Sequence, residues 1–145
     1  MTSEPFATGA CLCGAVRYIV KAKPVAMAHC HCRDCQRSSG AGHMSNARFR
    51  AEDVDIAGET ASYAVKADSG NTFTRHFCPT CGSRLYAVTT GWPGMIILTA
   101  GTFDDMSWFE PMVVLYTRSR PAWDNTSGDI PSFEAMPPRK PAQSR

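Results

Sequence analysis

The 145-residue sequence contains no apolar run approaching the roughly 20 residues that a membrane-spanning helix needs. Its first ten residues lack the basic stretch and apolar core of a secretory signal. These absences favour a cytoplasmic protein without a membrane partner. In a reducing compartment, clustered cysteines more often bind metals or act in catalysis than form disulfides.

Excess charge is also lacking. The formal net charge is +2 when cysteines are counted as neutral. Seven thiolates and two Zn²⁺ ions would contribute −7 and +4, which moves the total to −1 and weighs against a nucleic-acid partner. The length suits one domain, which we expect over residues 1–130. Residues 131–145 are rich in Pro, Lys, Arg and Ser and predict a loosely attached tail.

Helix signals are scarce. A turn or two is predicted over Asp34–Ser39, ended by Gly40, and a single turn over Asp104–Trp108. Five segments rich in β-forming residues predict strands. They are residues 16–20, Thr72–Phe77, Leu85–Thr90, Met95–Thr99 and Met112–Thr117. The fold class is therefore mainly β with short helical turns.

All seven cysteines fall into three clusters, which divide into a set of four and a set of three. The clusters are Cys11 with Cys13, then Cys30, Cys32 and Cys35, then Cys78 with Cys81. A disulfide framework would leave one of seven cysteines over. Two distant pairs can instead form a closed tetrahedral zinc site, and the triplet a site with an open coordination position.

The closed site would use Cys11, Cys13, Cys78 and Cys81 to hold a structural zinc. We expect the second pair at the tip of a hairpin, where Gly82 suits a turn that needs positive φ. The alternative is a redox dithiol at Cys78 and Cys81. No strand–helix–strand pattern of the thioredoxin type surrounds them, which favours zinc.

The open site would use Cys30, Cys32 and Cys35 as three corners of a tetrahedron. The alternative is a second structural site whose fourth ligand is a histidine. The candidates are His29, His31, His43 and His76. Strand-like alternation would point His29 and His31 away from a metal held by Cys30.

Three thiolates make zinc electron-rich and a weak Lewis acid, so a bound small-molecule thiol suits this site better than an activated water. Arg33 and Arg37 follow closely in the sequence. Either could hold a substrate carboxylate. The alternative for both is solvated surface charge.

Five segments resemble the glutathione-dependent formaldehyde-activating enzyme family, which also includes centromere protein V. They are residues 11–18, 29–40, 75–83, 100–105 and 121–123, and they contain all seven cysteines. The resemblance implies a β-tent of packed antiparallel sheets, stabilised by zinc and similar to methionine sulfoxide reductase B.

The resemblance also implies two Zn²⁺ ions, one structural and one catalytic, with glutathione as co-substrate. Cys30, Cys32 and Cys35 would hold the catalytic zinc, and Arg37 is our candidate for binding glutathione. The implied activity is a carbon–sulfur lyase that joins a small-molecule thiol to formaldehyde or a similar aldehyde. The alternative is a non-catalytic zinc-binding module for a protein or nucleic-acid partner.

Other residues have simpler interpretations. Trp92, Trp108 and Trp123 are more typical of packing than of a substrate cleft. Asp104 and Asp105 are typical of a turn. Arg17 and Arg75 lie near cysteines on predicted strands, where a structural role is expected.

Overall fold

The computed structural model describes residues 4–125 and 128–137. Within these residues the fold is mainly β, as predicted, with ten strands and one α-helix. The elements are β1 (Ala7–Ala10), β2 (Arg17–Val20), β3 (Ala26–Cys30), α1 (Arg33–Ser39), β4 (Met44–Arg50), β5 (Val54–Ala57), β6 (Ala61–Lys66), β7 (Thr72–Phe77), β8 (Arg84–Thr89), β9 (Met95–Thr99) and β10 (Val113–Leu115). No helix in these two ranges has the length and apolar composition that crossing a membrane requires.

The chain divides into two compact units. The first comprises Met1–Met27 and Ser45–Glu110, and the second comprises Ala28–Met44 and Pro111–Arg145. The single domain expected over residues 1–130 stays a prediction.

Antiparallel strands build the first unit. A three-stranded sheet has the order β1-β2-β5, with Tyr18 opposite Ile56. The strands of the larger sheet in this unit follow the order β4-β9-β8-β7-β6. The alternation predicted for residues 16–20 is confirmed, because Tyr18 and Val20 are buried while Arg17 and Ile19 are exposed.

The core of the first unit is built around large side chains from both sheets. The ring of Phe103 packs edge-on against Tyr18 and lies near Phe49. The Tyr18 hydroxyl is 2.6 Å from the hydroxyl of Thr102. Gly9 makes room for this contact, since a Cβ there would lie 2.2 Å from the Tyr18 hydroxyl oxygen. Burying one such side chain contributes about 1.5–3 kcal/mol to folding.

The predicted hairpin of β7 and β8 is confirmed. Strand β7 has the predicted bounds, and β8 begins one residue before the predicted Leu85. The two strands pair in register until a bulge between His76 and Phe77. A bulge bends the strand locally. The connecting turn carries Cys78 and Cys81 at its tip.

The second unit contains a pair of parallel strands and the helix. Strand β10 runs parallel to β3, with Leu115 opposite Cys30. Helix α1 begins at Arg33 because the Cys32 side chain accepts a hydrogen bond from the Cys35 N–H as its N-cap. It ends, as predicted, at Gly40, whose φ of 73° closes the last turn.

The segment predicted to be loosely attached begins with residues that bond to β10. The Val114 N–H donates to the Pro131 carbonyl, and the Phe133 N–H donates to the Val114 carbonyl, each at 2.9 Å. The Thr117 N–H donates to the Phe133 carbonyl at 3.0 Å. The first residues of the predicted tail are therefore hydrogen-bonded to Val114 and Thr117. Residues 138–145, which the prediction also covers, lie outside the described residues.

The single helical turn predicted over Asp104–Trp108 is wrong. This segment is irregular, and the nearest helical turn covers Ala100–Thr102. The Ser107 N–H donates to the Asp105 side chain at 2.9 Å. A side-chain acceptor of this kind competes with the helical backbone bond and favours a turn.

Replacing Phe49 by alanine tests the core. Phe49 is fully buried, so we expect Phe49→Ala to lower the free energy of unfolding by about 3–5 kcal/mol. Tyr63→Ala is the matched control, since Tyr63 is 67% exposed on β6. That variant should stay within about 0.5 kcal/mol of the original chain in urea unfolding. Equal effects of the two substitutions would contradict this core assignment.

Candidate functional site

The predicted closed site is assembled in the first unit. The sulfur atoms of Cys11, Cys13, Cys78 and Cys81 all lie within 4.8 Å of one another. The Cys13 sulfur is 3.6 Å from that of Cys11 and 3.7 Å from that of Cys78. Zinc–sulfur bonds of about 2.3 Å would put the sulfurs of a tetrahedral site about 3.8 Å apart. The donor set and its spacing therefore fit zinc.

Two turns that each end at a glycine present these sulfur atoms. In the first, the Gly14 N–H donates to the Cys11 carbonyl at 3.1 Å; in the second, the Gly82 N–H donates to the Cys78 carbonyl at 2.9 Å. Both glycines have φ near 80°, a conformation that strains other residues. The positive φ predicted at Gly82 is confirmed.

Hydrogen bonds prepare these thiols for metal binding. The Val16 N–H donates to the Cys11 sulfur at 3.3 Å. The Ser83 hydroxyl lies 3.2 Å from the Cys81 sulfur and, with the Ser83 N–H, lowers the pKa of Cys81 to about 5. A thiolate is the form that binds metal, so these donors favour the ligand state.

The predicted open site is assembled in the second unit. The sulfur atoms of Cys30, at the end of β3, and of Cys32 and Cys35, at the start of α1, lie within 4.8 Å of one another. Cys30 and Cys35 are buried beside Met44. The neighbouring thiols of Cys32 and Cys35 raise the pKa of Cys30. A divalent cation would remove this mutual repulsion, so the cluster fits a metal.

None of the four histidines joins the three sulfurs. Across residues 4–125 and 128–137, no histidine, aspartate or glutamate completes a ligand cluster with Cys30, Cys32 and Cys35. His29 and His31 both pack against the ring of His43, at 4.5 and 5.3 Å between centroids. His76, in the first unit, stacks on Tyr86 and bonds the Thr60 hydroxyl. The alternative of a histidine fourth ligand has no support in this geometry.

The histidines of the second unit form a cluster of packed rings that sequence reasoning missed. Burial lowers the pKa of His31 and lowers that of His29 to about 4, so both are neutral at pH 7. The Nδ1–H of His31 donates to the Gly42 carbonyl at 2.8 Å. The Nδ1 of His43 lies 2.6 Å from a carboxylate oxygen of Asp124. No local pattern signals this contact, because 81 residues separate its partners.

Gln36 connects α1 to two loops of the same unit. Its side-chain NH₂ donates to the carbonyls of Ser119 at 2.9 Å and Gly42 at 3.2 Å. Its side-chain oxygen accepts from the guanidinium of Arg33. Arg37 is exposed one residue further on. The glutamine is buried, and its side chain bonds the Ser119 and Gly42 carbonyls and the Arg33 guanidinium.

Beside this face of α1 lies a cavity of about 390 Å³. It contains the side chains of both candidate arginines. The lining residues are Arg33, Gln36, Arg37, Gly40, Ala41, Gly42, Ser119, Pro121 and Trp123. The packing role expected for Trp123 does not hold, because its side chain is 77% exposed.

Most of the remaining candidates pack or form hydrogen bonds within the first unit. The guanidinium of Arg48 lies 4.1 Å from the ring centre of Trp92, and the buried Arg75 lies over Phe73. Trp108 packs against the core of the first unit. Asp104 accepts a hydrogen bond from the Thr8 hydroxyl at 2.7 Å, and Asp105 bonds within its own turn, as expected. Arg17 is exposed on β2.

Known proteins are similar to this chain in sequence and in fold. A family model described as glutathione-dependent formaldehyde-activating enzyme matches residues 6–119, which include all seven cysteines. A Halomonas elongata protein, provisionally named as a glutathione-dependent formaldehyde-activating enzyme, is 30% identical over 121 residues. That alignment covers 79% of this chain and 77% of the relative.

A solved structure shows the same fold. The crystal structure of a Rhodobacter sphaeroides protein superposes with a TM-score of 0.56 at 19% identity. The match covers 87% of this chain and 99% of that chain. At this level of identity the likeness concerns the fold alone.

Adding a methyl group at Gly42 tests the contacts of Asp124. A Cβ there would lie 2.2 Å from an Asp124 carboxylate oxygen and 2.7 Å from its Cβ. Overlap with the stem of that side chain forces a shift, so we expect Gly42→Ala to lower the midpoint of thermal unfolding by several degrees. The control is Gly101→Ala, where a Cβ meets no atom within 4 Å and φ is not positive. Equal midpoints for the two variants would contradict the packing of Asp124 on Gly42.

Proposed function

The chain belongs to the glutathione-dependent formaldehyde-activating enzyme family, and we propose that it joins a small-molecule thiol, with glutathione as the first candidate, to formaldehyde or a similarly small aldehyde. The observation that carries this proposal is the convergence of Cys30, Cys32 and Cys35, without a fourth ligand among the described residues. Four protein ligands would close a zinc site, whereas three leave a position for a substrate.

We assign two zinc ions to the chain. Cys11, Cys13, Cys78 and Cys81 would hold the structural ion, and Cys30, Cys32 and Cys35 the catalytic ion. Zinc at the second cluster would supply an open coordination position at which a thiol co-substrate is deprotonated and remains nucleophilic. The donor chemistry supports this assignment, because zinc held by thiolates activates water poorly and favours another sulfur ligand.

The chain's own residues would position the reactants. The Cys35 N–H, at the start of α1, donates to the Cys32 sulfur at 3.3 Å and helps to hold it as a thiolate. Arg37, exposed on α1, would bind a carboxylate of glutathione through charge-assisted hydrogen bonds. The Arg37 contact would restrict the orientation of the thiol.

The reaction conserves atoms and needs no oxidant. The thiol sulfur forms a bond to the aldehyde carbon, the carbonyl π electrons move to the oxygen, and the proton lost from sulfur ends on that oxygen. The product with formaldehyde is an S-hydroxymethyl thiol. The reverse step breaks the carbon–sulfur bond, which is the lyase direction.

Two finer assignments accompany this proposal. We propose that the two sheets form a β-tent of the methionine sulfoxide reductase B type; the mainly β content supports this. We also propose a cytoplasmic location, where thiol ligands stay reduced and glutathione is available.

The metal content provides a direct test. We expect two zinc ions per chain in the purified protein and one in the Cys35→Ser variant, which loses a ligand of the open site. Cys81→Ser should also lose one ion but should be less stable, because its site links segments 65 or more residues apart. Elemental analysis measures the first effect and urea unfolding the second. One zinc per chain, unaffected by Cys35→Ser, would refute the two-site assignment.

Glutathione binding tests the open position. In the cobalt-substituted protein, glutathione should add a sulfur-to-cobalt charge-transfer band, and Cys35→Ser should abolish the response. The rate of S-hydroxymethylglutathione formation should exceed the spontaneous rate and fall to it in that variant. Absence of both the band and the excess rate would favour the non-catalytic zinc-binding module.

A further inference from the structure

We propose that one face of strand β4 binds the phosphate group of a small phosphomonoester, with Arg48 as its main contact. Asn46 and Arg50 neighbour Arg48 on that face, and Thr99 lies opposite Asn46 on β9. All four residues belong to the first unit, whereas the three-cysteine cluster belongs to the second. This anion site goes beyond the proposed function and does not depend on it.

The pairing of β4 with β9 gathers these side chains. Residues two apart in a strand point to the same side, so Asn46, Arg48 and Arg50 follow one another at intervals of about 7 Å. Thr99 is directly opposite Asn46 in the register, which brings their Cβ atoms to about 5 Å. The other face of β4 carries Phe49, which is fully buried in the core of the first unit. The polar face therefore rests on a rigid apolar backing.

Three enclosed polar atoms on this face have no hydrogen-bond partner among the described residues. They are Nε of Arg48, Oδ1 of Asn46 and Oγ1 of Thr99. The Asn46 amide can turn by 180° and present its NH₂ group instead, so all three side chains can donate. Enclosed polar groups are nearly always paired in native proteins, and three neighbouring unpaired ones point to a bound acceptor that the protein itself does not supply.

Arg48 is a cation held in place without a counter-ion. Its guanidinium lies 4.1 Å from the centre of the Trp92 ring. Stacking occupies the flat face of the guanidinium and leaves the in-plane N–H groups available. Across residues 4–125 and 128–137, the carboxylates found in ion pairs are those of Asp55 and Asp124, and neither pairs with Arg48. Burial lowers the pKa of Arg48, as happens when a cation loses water without gaining an anion.

The number of donors favours phosphate over carboxylate. The Arg48 fork matches two oxygens, Asn46 and Thr99 add neutral donors, and the exposed Arg50 adds a second guanidinium. A carboxylate offers two oxygens, whereas a phosphomonoester offers three with a charge of about −1.5 to −2 at pH 7. Arg48, Asn46 and Thr99 are half-buried, so a small anion can approach them from solvent. The stacked guanidinium is preorganised and loses little entropy when the anion binds.

Calorimetric titration with methyl phosphate tests this site. The purified chain with its zinc should bind methyl phosphate at least about tenfold more tightly than acetate, which lacks the third oxygen. Arg48→Met should weaken methyl phosphate binding by about tenfold or more, because it removes charge-assisted hydrogen bonds. Arg48→Lys keeps the charge but loses the fork and should weaken binding by at least about threefold.

Lys66→Met, at an exposed lysine on β6, is the matched control for the loss of one positive charge and should leave the affinity unchanged. Equal affinities for methyl phosphate and acetate, or equal affinities of the original chain and Arg48→Met, would overturn the site.

Two other variants separate this site from competing ones. An anion could also bind a metal held by the three cysteines, or the arginines of the cavity beside α1. We expect Cys35→Ser and Arg37→Met to bind methyl phosphate as tightly as the original chain. Loss of binding in either variant, with full binding in Arg48→Met, would place the anion elsewhere and overturn the assignment to β4.

Thermal unfolding of Thr99→Val provides a test with a mild substitution. Valine keeps the shape of threonine and deletes a hydroxyl that has no partner among the described residues, so the midpoint in phosphate-free buffer should not fall. A ligand that binds only the folded chain raises the midpoint. Methyl phosphate should therefore raise the midpoint of the original chain more than that of Thr99→Val. Equal rises, or a lower midpoint without phosphate, would contradict the site as assigned.

Discussion

Seven thiols gather in two small volumes, and the repulsion between their ionised forms is the constraint on which the rest of the structure depends. In the four-cysteine cluster, backbone N–H groups and the Ser83 hydroxyl offset part of this charge. In the three-cysteine cluster, the Cys35 N–H at the start of α1 does the same for Cys32. A divalent cation would offset the remainder, and the turns and the helix start place the sulfurs where one could bind.

Much of this could be predicted from local sequence. The hairpin of β7 and β8, strand β9 and helix α1 carry strong local signals, and the cysteine spacing indicates both clusters. Strands β1 and β3–β6 were not individually predicted, since their sequences are rich in small and polar residues, which weaken the β signal. The helical turn predicted at Asp104–Trp108 is absent, and the Asp105 side chain instead accepts a bond from the Ser107 N–H within a local turn.

The neighbourhood of the open site could not be predicted in the same way. His43 meets Asp124 across 81 residues, and Gln36 meets Ser119 across 83. Contacts at this separation depend on how loops pack, which residue spacing does not encode. The sequence did indicate a common side for His29 and His31, because they flank Cys30 at the end of β3. The ring contacts of both with His43 agree with that expectation.

Helix α1 presents its cysteines and its arginines in different directions. Cys35 is two residues from both Arg33 and Arg37, which places it about 160° round the helix from each of them. Cys32 and Cys35 belong to the three-sulfur cluster, whereas Arg33, Gln36 and Arg37 line the cavity. Because no residue is shared, the arginines can vary over evolutionary time without changing any of the three sulfur ligands.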